Sequence, residues 1–286
     1  MSSHATLNLH LSEETVTVQI AGILKPFPSN STTNPITDYF HVANGLAAKL
    51  TKAPYDGDAE VLGLLLLGVV SAAEFYFRSV LGVALDVCPL CREHAEMLQV
   101  PIGAFEFFAE SGYSHAMGSF EHESLADAKK IRSECKRFTG FDVSKDASAD
   151  KAIGDFELLC ELRHCLVHAR GLAGLKACKA LNSGHRSLQR LLVGKVEAFE
   201  LLKLSHNAVR AFNRFLANSI LNRWVDQDQF SGTWKYDKAA FKRVIEAFWI
   251  RGEDSYGSIA LNAYKPFRKA VRARQRAIAA KVPPVN

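Results

Sequence analysis

The chain has 286 residues, 48% of them hydrophobic and 23% charged, which is enough apolar side chain for a compact globular protein with a sizeable core. Its net charge of +5 and pI of about 8.8 are compatible with a nucleic-acid partner without requiring one. The strongest apolar run, residues 61–73, is cut by Glu74 and Arg78 and falls short of the roughly 18 uninterrupted residues of a membrane span, so no membrane partner is expected and the run reads as a core helix.

Near the start, Leu7, Leu9 and Leu11 alternate with polar residues, and Val16, Val18 and Ile20 repeat the alternation after Ser12-Glu13-Glu14. That period of two predicts a small β-hairpin, with residues 1–34 forming an N-terminal hairpin and loop. Residues 36–51 read as the first helix, with Asn34 and Asp38 as candidate caps. A second helix begins at Asp58 and runs to about Leu85, ahead of Pro89. Its Leu62, Leu66, Val69, Tyr76, Phe77 and Val80 spread over a wide apolar surface, as in the central helix of a bundle. Residues 100–110 and 121–138 are expected as shorter helices, and 140–149 as a polar linker.

A helix over 150–169 follows, because Ile153, Phe156, Leu159, Cys160, Leu166 and Val167 recur at steps of three and four and Gly171 supplies a stop. Within it Glu157, Glu161, His164 and His168 share one stripe, which wastes burial unless something polar meets it. A short helix over 172–183, a turn at Gly184 and a long helix from Val193 or Lys195 to about Trp224 come next. An amphipathic helix over 236–250 carries Phe241, Val244, Ile245, Phe248 and Trp249. The last segment, 265–281, holds Lys265, Arg268, Lys269, Arg272, Arg274, Arg276 and Lys281 without a carboxylate. Seven cations together attract a phosphate backbone, or else form a solvated terminal helix. Tyr264 and Phe267 either stack on bases or anchor this tail to the domain.

The sequence Arg163-His164-Cys165-Leu166-Val167-His168, set near the end of a helix that follows a long apolar helix with an embedded Glu74, resembles the HEPN superfamily. The RNase members of that family carry an arginine, a polar residue, a short spacer and a histidine. Here His164 stands at the polar position, where asparagine is more frequent. The resemblance covers residues 35–224, about two thirds of the chain, and implies a HEPN-like helical bundle over 35–226. With the hairpin before it and a basic helical extension over 227–286, the expected fold class is mainly α.

The chemistry can also be stated from the residues. Cleaving RNA by internal transfer requires a proton taken from the ribose 2′-hydroxyl, charge stabilised at phosphorus and a proton delivered to the departing oxygen. Arg163 suits the phosphate and His168 the proton transfers. One of each is only part of that set. Two copies across a two-fold axis would supply a fuller one, and the resemblance implies such a composite homodimer site, acting without a metal and leaving 2′,3′-cyclic phosphate and 5′-hydroxyl ends. It also implies a toxin or antiviral-defence effector, with an inhibitory or activating protein partner. His164 and Glu74 are supporting candidates: Glu74 either positions Arg163 or His168, or pairs with Arg78 one turn on. Arg170, Arg268, Lys269, Arg272, Arg274 and Arg276 are the RNA-binding candidates.

Three other readings stay open. Arg163 could pair with Glu157 or another helix carboxylate while His164 and His168 cover a helix terminus. The domain could bind RNA or a protein without cleaving it. Cys88-Pro89-Leu90-Cys91 followed by His94 has the spacing of half a zinc site, although no second paired element follows. No metal or other cofactor is assigned. With six unevenly spaced cysteines and no signal-peptide pattern, a reducing cytoplasm is the expected location.

Overall fold

The computed structural model describes residues 23–24, 34–52, 58–100, 102–109, 114–120, 122–250 and 256–280. The expected β-hairpin of the first 22 residues lies outside them. The described chain is mainly helical: α1 (Pro35–Thr51), α2 (Ala59–Val87), α3 (Pro89–Ala95), α4 (Ile102–Ala109), α5 (Ala128–Thr139), α6 (Ala147–Ala169), α7 (Leu175–Ala180), α8 (Lys195–Asp226), α9 (Trp234–Phe248) and α10 (Tyr256–Ala279). Two-residue strands β1 (Leu172–Ala173) and β2 (Gln189–Arg190) pair antiparallel, Leu172 opposite Arg190 and Ala173 opposite Gln189.

Local chemistry sets most of the helix starts. Asn34 accepts from the Thr37 N–H, Asp58 from Glu60 and Val61, Asp127 from Lys130 and Asp146 from Ala149, each satisfying donors that a helix N-terminus leaves open. Asp38, the other cap candidate, instead lies within the first turn of α1. Gly140 ends α5 in the left-handed region at φ 73°. The motif helix ends differently, because its left-handed position is Arg170, at φ 52° and ψ 39°. Such a conformation costs a non-glycine residue roughly 1–2 kcal/mol. Gly171, at φ 78°, follows it, and the N–H groups of both residues return to the Cys165 carbonyl.

The core is built around α2, α6 and α8. Phe77 of α2 meets Phe156 of α6 and Phe212 of α8 edge-on, with ring centroids 5.6 and 5.2 Å apart, a favoured aromatic geometry. Although α2 is long and apolar enough to cross a membrane, Leu62, Val69, Tyr76, Phe77 and Leu81 sit inside this core, so the reading of a core helix holds. Several polar side chains in the interior are matched. The Tyr76 hydroxyl donates to the Val209 carbonyl and Asn213 Oδ1 at 3.3 Å each, and Asn213 Nδ2 donates to the Phe248 carbonyl at 2.7 Å. Asn34, besides capping α1, donates Nδ2 to the Glu246 and Trp249 carbonyls at 2.7 and 2.9 Å. It thereby joins the start of α1 to the end of α9. Phe230, Phe241, Val244, Phe248, Tyr264 and Val271 belong to the same core cluster as α2 and α8, so a division at residue 226 does not divide the core.

Three expectations for elements are corrected, the first being the polar linker over 140–149, in which Val143–Lys145 form a 3-10 turn and Ala147 already starts α6 behind the Asp146 cap. The helix expected over 121–138 begins only at Ala128, because the stretch before it is held extended by distant carboxylates: Glu74 Oε1 accepts from the Leu125 N–H at 3.0 Å and Glu157 Oε2 from the Ala128 N–H at 2.7 Å. The helix expected over 172–183 is shortened to Leu175–Ala180, since Leu172 and Ala173 form the β1 ladder instead.

Candidate functional site

The motif lies in the last two turns of α6, an end of the helix fixed from two sides. Cys165 packs with Ala173, Ala177 and Cys178 in a small separate cluster, which seats β1 and α7 against the helix end. On another side Leu166 presses onto α2 at Gly63, where an added Cβ would come within 3.2 Å of Leu166 Cδ2. A side chain at that point would require the tip of Leu166 to give by a few tenths of an ångström. Backbone geometry at the motif is set by packing, and the polar side chains are carried outward from it.

Arg163 is half-buried, and His164, His168 and Arg170 are exposed. The His164 and His168 rings stand one turn apart with centroids separated by 4.9 Å and planes inclined at 49°. Arg163 leaves the helix about 140° around the axis from His168, so the guanidinium and the second imidazole flank one edge of the helix end and do not share a stripe. Among the described residues, the side chains of Glu161, Arg163, His164, His168 and Arg170 form no hydrogen bond or ion pair within the chain. The alternative in which Arg163 pairs with Glu157 or another helix carboxylate is not what the described residues contain, and Glu157 instead accepts from the Ala128 N–H.

Glu74 takes the second of its two readings. Its carboxylate receives Arg78 Nη2 at 2.8 Å and the Leu125 N–H at 3.0 Å. Neither Arg163 nor His168 is a partner, so its contribution is to fix the chain leading into α5.

Cys88, Cys91 and His94 are also accounted for. Both sulfurs are fully buried. Cys88 Sγ accepts from the Trp224 indole N–H at 3.1 Å and Cys91 Sγ from Arg223 at 3.5 Å, while His94 Nε2 lies 3.3 Å from the Lys136 carbonyl. A hydrogen bond from Cys91, with help from Trp224 and Arg223, pushes the Cys88 thiol down to about 6 against the opposing effect of burial, and the same bond followed by burial pushes Cys91 up. Among the described residues no group of three metal-binding side chains is assembled.

The basic tail is helical, and it is anchored. Tyr264, 2% exposed, donates its hydroxyl to Asp237, while Phe267 packs edge-on against Phe230 at 4.8 Å and lies 5.1 Å from Phe241. The reading in which these two rings stack on bases is thus replaced by the anchoring one. Asp237 also receives the Ser231 N–H and hydroxyl and the Gly232 N–H. Burial alone would raise its carboxyl, but these donors, Tyr264 foremost, hold it below the usual carboxylate range. Arg268, Lys269, Arg272 and Arg276 are exposed on α10. Arg274 is partly engaged with the chain itself, donating to the Asp226 carbonyl at 3.2 Å and facing Asp228 at 3.9 Å.

Sequence reasoning missed a second group of cations, on the segment seated against the end of α6. Lys176, Lys179, His185, Arg186 and Arg190 are all exposed, and a cleft of about 740 Å³ is bordered by Lys179, His185 and Arg186. The Leu191 N–H donates to the Gly171 carbonyl at 2.7 Å, which brings this strand beside the motif helix terminus. The signal was the spacing of cations through 176–190, diluted by the polar residues between them.

Comparison with family models, with curated proteins and with solved structures finds no match for the chain.

Proposed function

We propose that the protein is a metal-independent endoribonuclease of the HEPN type, in which Arg163 stabilises the phosphate and His168 moves protons. The observation that carries this reading is the state of the α6 terminus. Rigid packing holds its backbone, yet its arginine and its two histidines have no partner among the described residues. A half-buried guanidinium left without an anion is suited to a bound one. Cations on 176–190 and on α10 add the field that draws a polyanion.

One chain supplies one arginine and one catalytic histidine, and the reaction is completed in a homodimer that sets two α6 ends against a single strand. Exposed apolar side chains on the segments bounding that end support it: Leu64 at 67%, Leu188 at 65%, Leu192 at 70% and Val196 at 71% exposure. Side chains of this kind favour burial against a second copy. Cleavage then leaves a 2′,3′-cyclic phosphate and a 5′-hydroxyl, and the biological setting is that of a toxin or antiviral effector, restrained or triggered by a protein partner. RNA binding without cleavage is the competing reading, favoured by the many exposed cations.

The test is incubation of the purified chain with single-stranded RNA in excess chelator, with end-group analysis of the products. Cleavage to cyclic-phosphate ends, lost in His168→Ala, is expected. Binding without cleavage, or equal cleavage by His168→Ala, overturns the catalytic reading.

A further inference from the structure

The two exposed imidazoles of α6 have a geometry with a use beyond proton transfer. A histidine ligand sets its ring centre about 3.2 Å from a bound ion, the sum of a metal–nitrogen bond of about 2.1 Å and the roughly 1.1 Å from nitrogen to ring centre. Ring centres 4.9 Å apart, as His164 and His168 have, therefore subtend about 100° at a shared ion, between octahedral and tetrahedral values. Only rotation of the side chains is needed to aim both nitrogens, because the helix already supplies the spacing of one turn.

The surroundings bear on selectivity and strength. Neither ring has a hydrogen-bond partner among the described residues, and Glu161, likewise without one, stands one turn earlier on the same stripe. Its charge favours a cation, whereas Arg163 and Arg170 oppose one. Two neutral nitrogen donors with open water positions suit late first-row divalent ions over magnesium or calcium, which take oxygen ligands.

We infer that His164 and His168 form a bidentate site for Zn²⁺, Ni²⁺ or Cu²⁺, and that filling it shuts off RNA cleavage by occupying the lone pair with which His168 accepts a proton. The inhibitory half rests on the nuclease reading, and the binding half does not.

Calorimetric titration of the full chain with Zn²⁺, alongside RNA cleavage at each zinc concentration, tests both halves. One ion per chain is expected, with no heat from Mg²⁺. His164→Gln and His168→Gln should each weaken zinc at least about tenfold, since even the loss of an outer-shell partner costs that much. Cleavage by the native chain should fall as the site fills and return with chelator, and half-inhibition of His164→Gln should need at least about tenfold more zinc. Equal zinc binding by the native chain and both variants overturns the site. Binding lost in the variants, with native cleavage indifferent to zinc, overturns the switch. A chain that binds zinc through the two histidines but never cleaves RNA keeps the site and refutes the nuclease reading and the switch with it.

Discussion

The end of α6 and the root of α10 both bring charged and aromatic side chains to the surface of one helical core, and they use them in opposite ways. At α10, Asp237 gathers donors from Ser231, Gly232 and Tyr264, and the rings of Tyr264 and Phe267 are spent on Phe230 and Phe241. At α6, Arg163, His164 and His168 are bonded to nothing in the described chain. A polar group whose bonds close internally is part of the fold, and one whose bonds stay open is available to a ligand. The two regions should therefore respond to mutation in opposite senses.

The largest expected effect breaks the open region alone. Arg163→Ala should lower the rate of RNA cleavage by about 10²–10³-fold, the range found on removing a group that stabilises transition-state charge, while thermal unfolding stays within about 0.5 kcal/mol of the native chain. A comparable loss of stability would make Arg163 structural and erase the contrast. Next, Asp237→Asn should cost about 2 kcal/mol, because buried donors lose a charged acceptor, and should raise amide exchange in α10 without changing the cleavage rate well below the melting temperature. The pH dependence has a definite sign. Asp237 has a depressed value in the folded chain, so its contribution is full above the unfolded value of about 3.9 and is lost as pH falls through the folded one. Denaturation in acid should accordingly show a shallower slope in Asp237→Asn.

Removing the outward charges of the anchored helix sharpens the comparison differently. Arg268→Gln, Lys269→Gln and Arg272→Gln together should leave the melting temperature nearly unchanged and reduce the salt dependence of RNA binding, by about 0.7 in the logarithmic slope for each phosphate that is no longer neutralised. An unchanged slope assigns those cations to solvent. The smallest effect is the most diagnostic. Arg170→Gly should stabilise the chain by about 1 kcal/mol, by relieving the left-handed backbone, and weaken RNA binding by removing a cation. Stability gained with no loss of affinity would show that Arg170 does not touch RNA.

The sequence made the helices legible wherever periodicity and capping agreed. Asn34, Asp58 and Gly171 mark ends that the structure keeps within a residue or two. What it hid was set by partners far along the chain. Nothing local to 121–127 shows that Glu74 and Glu157 will satisfy the Leu125 and Ala128 N–H groups, and nothing in Leu172-Ala173 announces a two-residue ladder with 189–190. The motif was legible by residue type, because arginine and histidine on an apolar helix stand out. The role of Glu74 was not, since a carboxylate at that position fits either partner until the neighbouring helices are in place.

Asn34 carries a consequence for how the molecule is made. Its side chain completes the α9 terminus across a sequence separation of 215 residues to Trp249, and at a synthesis rate of about 5–20 residues per second that partner follows after roughly 10–40 s. A nascent chain on the ribosome thus holds α1 with half of its clasp empty until Trp249 has emerged. Fragments ending before residue 246 should keep the α1 turn and lose the seam, which makes the closing of the bundle a late event in its biosynthesis.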